Sequence, residues 1–223
     1  MSSHTSGKQL SDRLMDTLED SMAKMFATDY VQKILMTGEM SDENIRYAKV
    51  YWKRSKELAL VAIELLKRAY SVATNEGDRK IVDQWVKTVP EELAAYYQRF
   101  EQKLGGIGSD VKIQAIDETM IDYTLMHNRE MKRGSFVRMM VTQLVGNWHV
   151  LRVHQYLKRQ PLYRPNPMVT YFLFTEFPIE TYVSLLKNMI DSNGGQISPP
   201  EELELIQLAK ETMDLDMKIH LNL

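Results

Sequence analysis

The chain has 223 residues, 44% hydrophobic and 26% charged, with 28 lysines and arginines against 30 aspartates and glutamates and a net charge of −2. This length suits one domain with a substantial core, and the charge balance excludes an overall electrostatic drive toward nucleic acid or an anionic membrane. There is no cysteine, which removes disulfides, zinc–thiolate centres, iron–sulfur clusters and every thiol nucleophile.

The opening MSSHTSGKQ lacks the apolar stretch of a secretory signal and reads as a disordered leader over residues 1–9, ahead of one domain over 10–223. Leu10, Leu14, Leu18, Met22 and Met25 recur at helical spacing and predict a first helix over 10–26. A short helix over 30–36 ends at Thr37-Gly38. Ser41 then caps a long helix running to about residue 74, with Asp42 and Glu43 favouring its N-terminal dipole. NEGD at 75–78 breaks it. Residues 79–104 are helical again, with Pro90 marking a kink or a fresh first turn. GGIGSD at 105–110 is a loop whose glycines match no phosphate-binding spacing. Helices follow over 112–130 and 135–160, then the turn cluster QPLYRPNP, a short segment near 168–176, a helix from Pro178 to about Asp191, and a last helix from Glu201. No stretch alternates as a strand does. The expectation is an all-α, single-domain bundle of about eight helices. Most of the 15 methionines should fill its core. No apolar run approaches the roughly 18 residues that span a bilayer. The expected location is therefore soluble and intracellular, in the cytoplasm or an organelle such as a plastid or mitochondrion.

The stretch QLVGNWHVLRV at 143–153 puts Gly146 inside a helix. Glycine there costs roughly 1 kcal/mol against alanine, which calls for close approach of another helix or of a flat ligand. Two further segments carry a family resemblance. They are the N-terminal LSDRLMDTLEDSMAKMFATDYVQKILMTGEMSDEN and the C-terminal YFLFTEFPIETYVSLLKNMIDSNGGQISPPEELELIQLAKETMDLDMKIHLNL. In order and spacing, together with the Gly146 helix, they resemble heme oxygenases over nearly the whole chain. The resemblance implies a heme-oxygenase-like fold, shared across a superfamily that includes thiaminase-like TenA proteins and helical di-iron oxidases.

The resemblance also implies a haem site, and there the chain departs from the family. The position of the iron-ligating histidine is Met22. The distal Gly-Asp position is Gly146-Asn147, and the following Gly-Gly pair is Val150-Leu151, whose side chains stand where the haem plane would pass. The propionate-holding bases correspond to Met15 and Glu19 on the first helix and to Tyr182 and Leu186 later, with only Lys187 nearby. The expected function is therefore a heme-oxygenase-like protein that has lost haem binding and cleavage and acts as a non-catalytic binding, scaffold or regulatory protein, without a cofactor. One alternative is an active heme oxygenase using Met22 or a displaced ligand, with haem as cofactor. Another is a TenA-like or di-iron small-metabolite enzyme of the same superfamily.

These last two chemistries have their own requirements. A TenA-type thiaminase uses a cysteine nucleophile, which is missing. A di-iron site needs Glu and His ligands at helical spacing, and Glu91, Glu92, Glu176 and Glu180 lack the histidine partners. Of the five histidines, His127 (with Glu130) and His220 read as solvated. His149 and His154 are five apart and cannot chelate one metal from a regular helix. Basic residues concentrate over 132–164, and Arg152, Lys158, Arg159, Tyr163 and Arg164 are the candidate contacts for a protein partner, an acidic partner or nucleic acid.

Overall fold

The computed structural model describes residues 7–36, 41–104, 114–164 and 178–221. Among them are eight α-helices and one π-helical turn, and no strand. We number the helices α1 (Leu10–Asp16), α2 (Glu19–Phe26), α3 (Asp42–Val72), α4 (Glu76–Leu104), α5 (Gln114–Arg133), α6 (Phe136–Lys158), α7 (Ile179–Gly194) and α8 (Pro199–Leu221). The π-helical turn spans Tyr30–Leu35. The all-α single domain expected from the sequence is what the structure shows. No helix among the described residues is long and apolar enough to cross a membrane. The predicted segment 168–176 and the loop 105–110 lie outside the described residues.

Local chemistry sets the boundaries. The expected first helix divides because the Thr17 hydroxyl and backbone N–H both bond back to the Leu14 carbonyl, closing a tight turn. Asn75 caps α4, its side chain accepting from the Gly77 N–H at 2.8 Å. Pro90 sits inside α4, which continues through it without a fresh start. Gly134 ends α5 with a φ of 69°, and its N–H bonds the Glu130 carbonyl at 3.2 Å. The left-handed conformation favours glycine at this position. Ser135 then caps α6. α8 begins two residues before the expected Glu201. Pro199 occupies its first position, and the Glu201 carboxylate accepts from the Ser198 N–H at 2.8 Å and from the Ser198 hydroxyl at 2.6 Å.

α6 is the central helix. It packs against α7 and α8 on one side and α3 and α5 on the other, with α2 also against it. It is therefore apolar nearly all round, burying residues from Val137 to Leu157. α3 pairs with α4 and α5. Ten methionines are buried, among them Met22, Met25, Met139 and Met213 with no exposure at all, so most methionines are core as expected. α1 is fastened to the end of the bundle by polar contacts. Asp191 accepts from Ser11 twice at 2.8 Å, Arg13 makes a forked pair with Glu202 at 2.7 and 2.8 Å, and Lys187 reaches Asp12 at 2.5 Å.

Candidate functional site

A cavity of about 480 Å³ lies among α3, α4, α5, α6 and α8, with the start of α7 at its rim. Small and apolar side chains of α3 and α4, including Ala59, Ala62, Leu66 and Leu93, form most of one wall. The opposite wall is polar and mostly buried, and it comes from three helices. Tyr123 and His127 share one face of α5, Gln143, Asn147 and His149 stand on α6, and Asp216 and His220 share one face of α8. The two pairs on α5 and α8 are each four apart, so one helical turn brings them side by side.

The polar wall is tightly built. Tyr123 and His127 stack at 4.7 Å, and His127 Nδ1 lies 3.0 Å from the Tyr123 carbonyl. His220 stacks on Tyr30 of the π-helical turn at 4.7 Å and meets His149 edge-on at 5.5 Å. His149 Nδ1 and Asp216 Oδ2 are 3.2 Å apart, with side-chain exposures of 8% and 6%. They are close but not aligned as a hydrogen bond, and both atoms are buried without one. A buried carboxylate oxygen in that condition is expensive and points to a role beyond packing.

Charge on this wall is sparse. Burial pushes the Tyr123 hydroxyl pKa well above its usual range, and Asp216 beside it adds to the rise. Burial lowers the pKa of His127, and lowers that of His220 well below the ordinary imidazole value, with His149 adding to the effect at His220. At neutral pH the wall therefore offers a protonated phenol at Tyr123 and neutral imidazoles at His127 and His220. Among the described residues no group of three or more His, Asp or Glu side chains is placed to hold a metal ion.

Only some of the residues aligned with a haem site, Gly146, Asn147, Val150 and Tyr182, line this cavity. Met22 is fully buried and does not line it, and Leu151 is 8% exposed in the core. Gly146, Asn147 and Val150 do line it. A Cβ on Gly146 would meet the Tyr123 hydroxyl at 3.5 Å, so the glycine faces a neighbouring helix and the cavity together. Asn147 turns its amide back to the Gln143 carbonyl at 2.8 Å. Of the propionate positions, Met15, Tyr182 and Leu186 are buried, Glu19 pairs with Arg152 at 2.5 and 2.9 Å, and Lys187 is taken by Asp12.

Several histidine expectations need correction. His127 and Glu130 are not solvated: their exposures are 2% and 0%. Glu130 is held by Arg129 at 2.7 Å and Arg138 at 2.5 Å. His220 is 7% exposed and belongs to the cavity. Asp216 and Tyr123 were missed altogether. The signal for them was present as polar residues on otherwise apolar helix faces, each with a histidine one turn on. Of the expected partner contacts, Arg152 is engaged by Glu19 and lies over the Trp148 ring at 5.1 Å. Lys158 and Arg159 are exposed at the end of α6. Tyr163 is half-buried, and the Arg164 side chain bonds the Tyr163 carbonyl at 2.9 Å.

No family model and no curated protein matches the chain. Solved structures do. A TenA homologue from Pyrococcus furiosus superposes with a TM-score of 0.77 at 12% identity, covering 96% of this chain and 100% of that one. A TenA homologue from P. horikoshii OT3 gives 0.70 at 14% identity, covering 95% and 99%. These neighbours overturn both the heme oxygenase assignment and the reading as a non-catalytic remnant of one. The order and spacing that carried the resemblance belong to a fold that several families share, while the residues peculiar to heme oxygenases are the ones this chain lacks. What the chain shares over nearly its whole length is the helical fold of TenA homologues.

Proposed function

We propose that the chain is a TenA-like small-metabolite enzyme, a hydrolase for a small heterocycle that works by acid–base chemistry and needs no cofactor. The observation that carries this reading is the buried Asp216–His149 pair opening on a cavity of about 480 Å³, within the ~300–1,000 Å³ usual for small-molecule sites. The absence of cysteine closes the thiolate route that a TenA-type thiaminase uses. Asp216 and His149 supply a substitute: the carboxylate orients and stabilises the imidazole, which takes the proton of an attacking water. As the water oxygen bonds the ring carbon, the bond from that carbon to the leaving nitrogen breaks, and the Tyr123 hydroxyl, kept protonated by burial, gives that nitrogen a proton that the imidazolium then replaces. The aromatic rings of Tyr96, Tyr97 and Tyr182 on the cavity wall favour a flat substrate.

The test offers thiamine and a panel of substituted pyrimidines and pyridines to the full chain. Binding is followed by thermal shift and turnover by chromatography. Turnover that falls roughly 100-fold or more in Asp216→Asn, and is unchanged in Lys158→Ala, supports the reading. Equal rates in wild type and Asp216→Asn overturn it, as does an absence of both binding and turnover across the panel.

A further inference from the structure

Taking the cavity as the substrate site proposed above, we infer that Arg54 marks a second recognition point in it, which holds a neutral carbonyl group of the substrate. Arg54 stands on α3, lines the cavity and is 7% exposed. Its guanidinium is partly used. Nη1 donates to both carboxylate oxygens of Glu57, at 3.2 and 2.9 Å, and Nη2 donates to Asp117 on α5. Nε is buried and has no hydrogen-bond partner. A buried donor in that condition is costly. The two ion pairs account for the outer nitrogens of the fork and leave this N–H without a purpose in the fold.

The position of Arg54 relative to Asp216 sets the length of the ligand. Arg54 is level with Asp117, its partner near the start of α5. Tyr123 lies further along the same helix, about 9 Å from Asp117 at 1.5 Å per residue, and Asp216 is beside Tyr123. The cavity therefore has an orphaned acceptor at one end, Asp216 Oδ2, and an orphaned donor toward the other, Arg54 Nε. Leu58 and Ala59 follow Arg54 on the same wall and suit a flat apolar body between them. The local charges then select the acceptor. Glu57 and Asp117 already set two negative charges against the one positive charge of Arg54. A carboxylate or phosphate at Nε would add another, whereas a carbonyl oxygen takes the N–H without that repulsion. The Ser55 and Tyr97 hydroxyls bond one another at 3.0 Å on the same wall. A hydroxyl has two lone pairs, so this pair also offers an acceptor to the N–H of a carboxamide.

Isothermal titration calorimetry on the full chain tests this with three flat probes that differ at one end. Each is an aminonaphthalene, carrying on its far ring a carboxamide, a carboxylate or a methyl group. The wild type binds the carboxamide roughly tenfold or more tightly than the methyl compound, as a hydrogen bond to a charged donor predicts, and more tightly than the carboxylate. Arg54→Lys keeps a positive charge beside Asp117 and removes the Nε donor. It binds the carboxamide and methyl probes alike, with an unchanged circular dichroism spectrum. Arg54→Met does the same, since Glu57 and Asp117 are both within reach of solvent. Equal affinity of the wild type for the carboxamide and methyl probes overturns the inference. So does a preference for the carboxylate, a carboxamide preference that survives in Arg54→Lys, or a failure of all three probes to bind. None of these results decides the acid–base reading, which turns on the rates of Asp216→Asn.

Discussion

Replacing Asp216 by asparagine should make the protein more stable while disabling it. Asp216 is 4% exposed, and its Oδ2 sits 3.2 Å from His149 Nδ1 without an aligned hydrogen bond. The neighbouring Tyr123 and His220 carry no charge at neutral pH. No cation in the pairs described above neutralises the carboxylate. An unsatisfied buried polar group costs roughly 1–3 kcal/mol, more when charged. Asparagine keeps the shape, removes the charge and supplies a donor toward the imidazole. The expected gain is therefore about 1–3 kcal/mol. At about 2–4 °C per kcal/mol for a chain of this size, the Tm rises by about 2–12 °C. Differential scanning calorimetry reads the Tm, and urea titration with an unchanged m-value confirms that the native state gained. This trade is expected where function holds a group in a costly environment. An Asn variant destabilised by ~1 kcal/mol or more would refute the reasoning, because it would make Asp216 a structural carboxylate.

Acid should destabilise the fold well above the carboxylate range. His127, His154 and His220 all have pKa values lowered by burial, His154 to about 4. The unfolded chain therefore binds protons that the native state refuses. Stability is full above about 6.5 and is lost as pH falls toward 4, by up to roughly 1.4 kcal/mol per pH unit for each histidine. Urea midpoints that stay flat between pH 7 and 5 would contradict this, and His154→Gln should remove one proton from the slope. Glu130 presents the opposite case: burial raises its pKa, but hydrogen bonds from Arg138 and Arg129 outweigh that and leave it lowered. Glu130→Ala strands Arg138, 13% exposed, and should cost roughly 3–5 kcal/mol by urea titration. Gly146→Ala should be neutral or stabilising by up to ~1 kcal/mol, since its Cβ makes ordinary contact with Tyr123 while helix propensity improves. Gly146→Leu should fold and fail to bind ligand in the same thermal-shift assay, having filled the cavity.

The helices were legible because their signals are local. The helical recurrence of leucines and methionines over 10–26 and the break at NEGD both act within a turn or two of themselves. The division at Thr17 was not legible, because it depends on one hydroxyl choosing a carbonyl three residues back. The site was half legible. Gly146, an anomaly inside a helix, and Asn147 beside it both line the cavity. Much of the rest of its polar wall is assembled from α5 and α8, about 20 residues before Gly146 and about 70 after it, and sequence distance hides such convergence. The resemblance misled for a related reason. Helix order and spacing record the fold, whereas chemistry resides in a few side chains that nothing in the spacing constrains.

The fastening of α1 to the far end of the bundle has a consequence for how the protein is made. Ser11, Asp12 and Arg13 find their partners on α7 and α8, at Asp191, Lys187 and Glu202. α8 also supplies Asp216 and His220 to the cavity. During synthesis, residues 10–26 therefore emerge long before anything exists for them to hold. Their apolar stripe, from Leu10 to Met25, is covered in full only once residues 199–221 have left the ribosome. Such long-range closure slows folding. The site is therefore the last part of the molecule to come into being, since Asp216 and His220 arrive with the final helix.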